Sequence, residues 1–207
     1  MKKKLIFIGP QGSGKGTQAK IIAKKLGIAH ISTGDMFRNV KGKLKEKVDK
    51  CINEGKLMPD DLTLEILKKR LEKSDCKSGF ILDGYPRNLE QAKDLEKVTK
   101  IDEVIEIRIS DKTAVHRLGG RWNCNKCGIA YNILTEPKPK KDKICNKCGG
   151  RLVQRKDDKF SAIKKRLEIY HEDTEPILNY YKEKLIRIDG EQNIKKVTEE
   201  ILKKIKY

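Results

Sequence analysis

Aromatic residues are scarce in this sequence, and it contains no long apolar run. Phe, Trp and Tyr together make up 5% of the 207 residues, and there is a single tryptophan. No stretch approaches the roughly 20 apolar residues of a transmembrane helix. The apolar run near the N-terminus ends at Ile8, which is too short for the hydrophobic part of a secretory signal. We therefore expect a cytoplasmic protein with no membrane segment.

The sequence also lacks a long block of like charge, although its net charge is large. Lys and Arg number 48 against 30 Asp and Glu, which gives a formal net charge of +18. Such an excess can attract nucleotides, nucleic acid or acidic lipid. However, the lysines are spread from Lys2 to Lys206, which is typical of a solvated surface. Apolar residues reach 37%, so we predict a globular protein with one substantial core and a small insertion.

Histidine is rare, and the cysteines are unlike those of a disulfide-rich protein. The three histidines, His30, His116 and His171, lie outside any motif that requires an acid or a base, so we expect ordinary hydrogen-bonded or surface positions. In a reducing compartment disulfides are uncommon, so the paired cysteines of CxxC motifs point to a metal. Cys51 and Cys76 lie outside these pairs and are predicted to be packing residues.

Short apolar runs alternate with helical patterns along the chain. Such runs are typical of buried parallel strands, and the alternation indicates an α/β protein with a parallel sheet covered by helices on both faces. Gly27, after the first helical pattern, is predicted to end that helix. The last helix is predicted to bury Ile194, Val197, Ile201 and Ile205. The predicted strands are residues 5–8, 29–31, 80–82, 104–109 and 185–188.

A glycine-rich segment, GPQGSGKG at residues 9–16, follows the first predicted strand and precedes a helix. In this context the glycines let the backbone curl so that amide N–H groups point inward, and the helix start adds its positive dipole end. Lys15 can then bring an ammonium group to the terminal phosphates of a nucleotide. The sequence therefore predicts a phosphate-binding loop. Its glycines are Gly9, Gly12, Gly14 and Gly16.

Two features of the sequence concern magnesium. A Ser or Thr usually follows the lysine of such loops and binds the ion, but here Gly16 follows it and the hydroxyl is delayed to Thr17. Asp83 ends the apolar strand of GFILDGYPR, where a carboxylate is well placed to orient hydrated magnesium. A strand-terminal aspartate can equally cap a helix, but the nearby phosphate loop favours the metal.

Four cysteines form two CxxC pairs inside two copies of CNKCG. Cys124 and Cys127 are followed, after 17 residues, by Cys145 and Cys148. This spacing is typical of a tetrahedral four-cysteine zinc site, and the glycine after each pair permits a tight turn. Four thiolates leave no open coordination position, so the zinc is expected to be structural. Binding it can supply on the order of 10 kcal/mol of folding free energy to a segment too polar to fold alone.

Several motifs occur in order along essentially the whole chain, and together they resemble the adenylate kinases, within the nucleoside monophosphate kinase family, in their long-lid, zinc-binding form. The motifs are GPQGSGKGTQ, ISTGDMFR, LDGYPRN, LGGR, RKDD and KKRLEIYH. The resemblance implies a P-loop NTPase-type parallel sheet of about five strands flanked by helices. It divides the chain into a core (residues 1–32, 63–120 and 159–207), an AMP-binding helical insertion (33–62) and a zinc-bearing lid (121–158).

The resemblance also implies the reaction, in which a phosphoryl group passes reversibly from Mg-ATP to AMP and gives two ADP. The acceptor is already an anionic phosphate, so the difficulty is to bring two polyanions together, and guanidinium groups suit this because their contacts are planar and bidentate. By the family pattern Arg38 and Arg87 hold the acceptor phosphate, and the later arginines close on the transferring group. The implied catalytic residues are Lys15, Arg38, Arg87, Arg121, Arg155 and Arg166.

Binding residues follow from the same resemblance. Thr33 and Gln91 match positions that favour adenine in the acceptor, because an amide can pair with two atoms of an adenine edge. The implied ATP-binding residues are Gly12, Ser13, Gly14, Lys15, Gly16, Thr17, Arg121, Ala130, Tyr131 and Gln192. The implied AMP-binding residues are Thr33, Arg38, Lys56, Met58, Gly84, Arg87, Gln91, Arg155 and Arg166. The expected cofactors are Mg2+ with ATP and structural Zn2+, and the expected partners are ATP, AMP and ADP, with a monomer that binds no nucleic acid or membrane.

Two alternatives remain open at the level of the sequence. One is a kinase for another nucleoside monophosphate, against which Thr33 and Gln91 argue. The other is a zinc-ribbon nucleic-acid binder driven by a P-loop ATPase, because cysteine knuckles and high positive charge are common in such proteins. The scarcity of aromatic residues around the cysteines and the full set of arginines argue against the second.

Overall fold

A five-stranded parallel sheet forms the centre of the molecule. The structure is a computed structural model and describes residues 3–40, 42, 44–54 and 56–206. The sheet has the strand order β2-β3-β1-β4-β8, and each neighbouring pair is parallel. The predicted parallel α/β fold is therefore confirmed. The strands are β1 (Lys3–Ile8), β2 (Ala29–Ser32), β3 (Gly79–Asp83), β4 (Glu103–Arg108) and β8 (Leu185–Asp189).

Both faces of this sheet are buried. Successive side chains of a strand point to opposite sides, so each strand contributes apolar side chains to both faces. In β1, Leu5 and Phe7 belong to one apolar cluster, and Ile6 and Ile8 belong to another. Helices cover both faces, and the first of them ends at Gly27 as predicted, with a left-handed φ of 65°. These helices are α1 (Lys15–Leu26), α4 (Asp60–Leu71), α5 (Leu89–Val98), α6 (Asp111–Gly119), α7 (Phe160–Ile169), α8 (Ile177–Tyr180) and α9 (Ile194–Lys204).

Two further groups of elements lie outside the sheet and its covering helices. Between β2 and α4, the described residues include the helices α2 (Thr33–Arg38) and α3 (Leu44–Asn53). The cysteine-bearing segment forms a separate antiparallel sheet of three strands in the order β6-β5-β7. These strands are β5 (Arg121–Cys124), β6 (Ala130–Asn132) and β7 (Leu152–Val153).

The helices at the C-terminal end of the chain differ in part from the prediction. After α7 the chain continues as a π-helix, Tyr170–Thr174, and then starts again as α8. Val197 and Ile201 of α9 and Ile205 directly after it are buried, but Ile194 is 37% exposed, so its predicted burial is wrong. Ile194 is the first residue of α9, and it lies beyond the turns that pack against the sheet. Among the described residues, no helix has the length and apolar character needed to cross a bilayer.

Candidate active site

The glycine-rich loop lies between β1 and α1, at the carboxyl end of the sheet. Gly12 and Gly14 have φ angles of 88° and 89°, which side chains rarely adopt, and the amide of Ser13 donates to the carbonyl oxygen of Pro10 at 3.1 Å. Gly9 is required by space, because a Cβ there would lie 2.4 Å from the oxygen of Ile107. The loop therefore turns back over the start of α1, where free amide groups and the helix dipole favour a phosphate.

Lys15 lies inside this turn rather than in open solvent. Its Nζ donates to the carbonyl oxygen of Pro10 at 3.1 Å. Burial lowers the pKa of Lys15 to about 7, Asp83 opposes this, and Arg87, Arg166 and Arg121 lower it further by repulsion. An anionic ligand that neutralises these arginines would stabilise the charged form of Lys15.

Asp83 ends β3 beside the glycine-rich loop, and its side chain is 11% exposed. Its Oδ2 lies 3.4 Å from Nε2 of His30 and 3.0 Å from the position that a Cβ on Gly16 would occupy. Burial alone would raise the pKa of Asp83, but the hydrogen bond with His30 and the charge of Lys15 hold it below its usual value. The carboxylate is therefore an ionised, hard oxygen donor of the kind that Mg2+ prefers. The cap of α5 is Asn88, whose side chain accepts from the amide of Gln91.

Arg87, Arg121 and Arg166 lie close enough to Lys15 to repel its charge, and three of the predicted arginines pair with carboxylates. Asp158, whose side chain is fully buried, accepts from Nε of Arg121 at 2.9 Å, and Nη1 of Arg166 lies 3.4 Å away. Nε of Arg155 donates to the side-chain oxygen of Asn123 at 3.1 Å. On the opposite side, Nη2 of Arg38 donates to Asp35 at 2.8 Å. These four arginines are thus oriented by polar contacts within the protein.

Burial and the repulsion between neighbouring cations lower the pKa of two of these arginines. Burial lowers the pKa of Arg87 to about 10, and repulsion from Arg166 adds to this. Burial also lowers the pKa of Arg155 to about 10, with a further contribution from Arg121 and Arg38. A cluster of this kind has a strong electrostatic preference for a polyanion.

A pocket lies between α2, the loop after β3 and the start of α5. The hydroxyl of Thr33 donates to the carbonyl oxygen of Gly84 at 2.8 Å, which closes one wall. Met58 is buried in this wall, whereas Lys56 is exposed and pairs with Glu54 at 2.7 Å. All of the predicted AMP-binding residues except Arg155 line the pocket. The lining residues are Thr33, Gly34, Phe37, Arg38, Lys56, Leu57, Met58, Thr63, Gly84, Arg87, Gln91, Asp157 and Arg166.

The four predicted zinc ligands meet in the small antiparallel sheet. Their Sγ atoms all lie within 4.8 Å of one another, and the distances are 3.5 Å from Cys124 to Cys148 and 3.6 Å from Cys127 to Cys145. With Zn–S bonds of 2.3 Å, the edges of a sulfur tetrahedron are about 3.8 Å long, so the cluster fits zinc. Gly128 and Gly149, after each pair, have φ angles of 69° and 67°.

Comparison with known proteins agrees with this geometry. The family model described as adenylate kinase matches residues 7–186. An adenylate kinase of Caldicellulosiruptor saccharolyticus is 46% identical over 210 residues, covering 97% of each chain. Adenylate kinases of Caldanaerobacter subterraneus and Thermosipho africanus are 47% and 44% identical and cover 97% and 96% of this chain and 95% and 97% of their own.

The chain belongs to the adenylate kinase family.

Three predicted ATP-binding residues of this family member lie outside the cation cluster. Ala130 lies in β6 of the small sheet. The Tyr131 side chain is buried within that sheet, with its hydroxyl 3.5 Å from Sγ of Cys145. Gln192 follows β8 and donates to Glu200 at 2.9 Å. The Tyr131 hydroxyl therefore contacts the cysteine cluster. A nucleotide would have to contact other atoms of Tyr131.

Sequence reasoning assigned no role to several residues that complete the site of this adenylate kinase family member. Asp157 and Asp158 pair with Arg166 and Arg121, and the motif RKDD carried the signal, because two acidic residues follow two basic ones there. His30 was expected at an ordinary position, and it contacts Asp83. Asp60 contacts Gln91, and nothing in its local sequence indicates this.

Proposed function

We propose that this protein catalyses the reversible transfer of a phosphoryl group from Mg-ATP to AMP, which yields two ADP. Membership of the adenylate kinase family supports the reaction. The observation that carries the proposal in this chain is the convergence of Lys15 and the arginines between the glycine-rich loop and the pocket beside Thr33. A reaction between two polyanions requires such a cluster, because their mutual repulsion must be cancelled before the phosphorus is attacked.

On the donor side, the backbone of Gly12 to Thr17 would hold the phosphates of ATP. Lys15 would contact the transferred phosphoryl group, and its pKa of about 7 in the free protein means that phosphate binding favours uptake of a proton. Arg121, Arg155 and Arg166 would stabilise negative charge that develops in the transition state. Ala130, Tyr131 and Gln192 would contact the rest of ATP.

On the acceptor side, Arg38 and Arg87 would bind the phosphate of AMP, and Arg155 and Arg166 would reach it from the other side. Thr33, Lys56, Met58, Gly84 and Gln91 would form the pocket for the nucleoside. The Nε of Arg87 donates to the oxygen of Gly84 at 2.8 Å, which orients the guanidinium before the substrate arrives. Since the acceptor oxygen already carries negative charge, no general base is needed.

Asp83 would orient the hydrated Mg2+ that accompanies ATP. The ion would screen the phosphate charges when bound. The place beside Gly16 supports this role, because Asp83 already fills the space that a Ser or Thr side chain there would need. A carboxylate thus takes over the position of the missing hydroxyl. Nε2 of His30 fixes its orientation on one side.

Residues 121–158 would act as a lid over ATP, and residues 33–62 would close over AMP, with the remainder as the core. Arg121 opens β5 and Arg155 follows β7, so both lie where the small sheet meets the core. Cys124, Cys127, Cys145 and Cys148 would hold a structural Zn2+, which rigidifies the lid. Closure excludes water, which would otherwise accept the phosphoryl group.

The partners in this proposal are ATP, AMP and ADP, acting on a cytoplasmic monomer that binds neither nucleic acid nor membrane. The wide spread of the lysines supports a solvated surface rather than a nucleic-acid groove. AMP is favoured over other monophosphates because Thr33 and Gln91 both line the acceptor pocket.

A coupled assay of ADP formation from ATP and AMP tests the proposal. Lys15→Met should lower kcat by roughly 100-fold or more, because it removes one donor to the transition state. Lys24→Met, at an exposed position of the same helix, is the matched control and should keep wild-type turnover. Absence of ADP formation by the wild-type protein, or equal rates for the two variants, would refute the proposal.

A further inference from the structure

The carboxylate of Asp60 binds two side-chain amides at the edge of the acceptor pocket. Its Oδ1 accepts from Nε2 of Gln91 at 2.6 Å, and its Oδ2 accepts from Nδ2 of Asn88 at 2.9 Å. Asp60 begins α4, whereas its two partners lie at the start of α5. One carboxylate therefore joins the end of the acceptor-side helical segment to the helix that carries Gln91.

These contacts fix which way the Gln91 amide points. Its Oε1 accepts from the main-chain N–H of Arg87 at 2.8 Å, while its nitrogen faces Asp60. A carboxylate can only accept, and a main-chain N–H can only donate. Rotating the amide by 180° would place donor against donor at Arg87 and acceptor against acceptor at Asp60. The arrangement leaves Gln91 one N–H and one oxygen lone pair for a ligand.

A fixed amide discriminates between purines. Adenine carries a 6-amino group that donates, whereas guanine and hypoxanthine carry a 6-oxo group that accepts. An amide oxygen held towards this position binds the amino group and repels the oxo group. A freely rotating amide could turn its nitrogen towards the oxo group and bind it instead. Selectivity of this kind needs the orientation of Gln91 as well as its presence.

We propose that Asp60 is a specificity-determining residue, which makes the acceptor site select 6-aminopurine over 6-oxopurine monophosphates by fixing the Gln91 amide. Asp60 acts through Gln91 and is a positioning residue. The inference rests on the proposed function, because it takes AMP as the acceptor. Asparagine cannot replace Asp60, since its single oxygen and its NH2 group cannot accept from both Asn88 and Gln91.

The experiment compares AMP with IMP as acceptors, with ATP as the donor, for the full chain and two variants. Asp60→Asn should lower kcat/KM for AMP about tenfold and the ratio of AMP to IMP by a similar factor, with KM for ATP unchanged. Asp61→Asn is the matched control, because Asp61 is an exposed acidic residue in the same first turn of α4. Both substitutions remove the same interaction with the helix dipole, so this interaction cannot explain a difference between them. Asp61→Asn should therefore keep kcat/KM and the ratio of AMP to IMP within about twofold of wild type.

Two outcomes would overturn the inference: a ratio of AMP to IMP that stays unchanged in Asp60→Asn even if both activities fall, or the same change of this ratio in Asp61→Asn. If thermal melting shows that Asp60→Asn is unfolded, Asp60→Ser replaces it, because Ser is well tolerated at helix starts. A wild-type protein that makes no ADP from ATP and AMP would refute the proposed function. An active wild type with unaltered selectivity in the variants would refute only the role of Asp60.

Discussion

The hydroxyl of Thr174 donates a 2.7 Å hydrogen bond to the main-chain oxygen of Arg87, although 87 residues separate them. Thr174 is the last residue of the π-helix that continues α7, and α7 carries Arg166. This bond therefore connects the backbone of one arginine of the site to the helical segment of another. Irregular helical turns of this type often occur at functional sites.

Replacing Thr174 by Val should raise KM for AMP severalfold and lower the melting temperature. Valine keeps the shape but removes the donor, and a buried carbonyl that loses its partner costs about 1–3 kcal/mol. Thr174→Ser keeps the hydroxyl and serves as the control. Steady-state kinetics with AMP as the varied substrate measures the effect, and equal KM values for the Val and Ser variants would contradict it.

His171 should make stability depend on pH. Its Nδ1 lies 2.8 Å from Glu175 and its Nε2 lies 3.0 Å from Asp111, and these hydrogen bonds raise the pKa of His171. Because the folded protein holds this proton more tightly than the unfolded chain, His171 contributes its full stabilisation at pH values below the unfolded pKa of about 6.5. The contribution is lost as the pH rises through the pKa of the folded state. Both partners are partly exposed, so its size is about 1 kcal/mol or less.

Melting temperatures of wild type and His171→Gln at pH 5.5 and pH 9 test this expectation. At pH 5.5 the wild type should melt at a higher temperature than His171→Gln. At pH 9 the two melting temperatures should be nearly equal. An identical difference at both pH values would show that the imidazolium charge is not responsible.

Removal of zinc should unfold the small antiparallel sheet and leave the main sheet folded. Trp122 is the single tryptophan of the chain, lies in β5 and packs against the cysteine cluster, so its fluorescence reports on this region. Chelation should shift its emission to longer wavelength, while far-UV circular dichroism keeps most of its helical signal. Metal analysis should find one zinc per chain before chelation.

Cys51→Ala is the control for this experiment, because Cys51 packs beside Phe37, Val48 and Met58, away from the cluster. It should retain zinc, whereas Cys145→Ala should lose it. Trp122 emission that stays the same after complete removal of metal would contradict a structural role for the ion.

Asp158→Asn should destabilise the free protein by on the order of 3 kcal/mol, because it removes the buried counter-charge of Arg121 and leaves Arg166 with Asp157 alone. Asp158 contacts both Arg121 and Arg166, whose side chains are 19% and 12% exposed. A bisubstrate analogue, two adenosines joined by phosphates, should offset part of this loss and raise the melting temperature more in the variant than in wild type. Asp173→Asn, at an exposed position, is the control. Equal stability of the two variants would argue against this account.

The main sheet could be predicted from the sequence because buried parallel strands are short, continuous apolar runs. The predicted run at residues 5–8 and the strand β1 (Lys3–Ile8) differ by two residues at one end. The strands of the small sheet were not predicted. β5 reads RWNC, which has no apolar alternation, and its pairing depends on contacts around the four cysteines.

The turn of the glycine-rich loop and the cysteine cluster were also predictable, since each depends on residues close together in sequence. The acidic partners of the arginines could not be predicted, because a sequence does not show which charges face one another across a fold. Asp60 and Gln91 are 31 residues apart, and only the packing of α4 beside α5 brings them together. The arginines themselves were predicted through their motifs and not from their charge.

The small antiparallel sheet has its own interior of Cys124, Tyr131, Cys145 and Leu152. Among the described residues, none of these four belongs to the apolar clusters around the main sheet. Arg121 opens β5 and Arg155 follows β7, and neither belongs to this interior. A relative in which polar or apolar contacts replaced the four cysteines should therefore keep Arg121 and Arg155 in place, because neither arginine contributes to this interior.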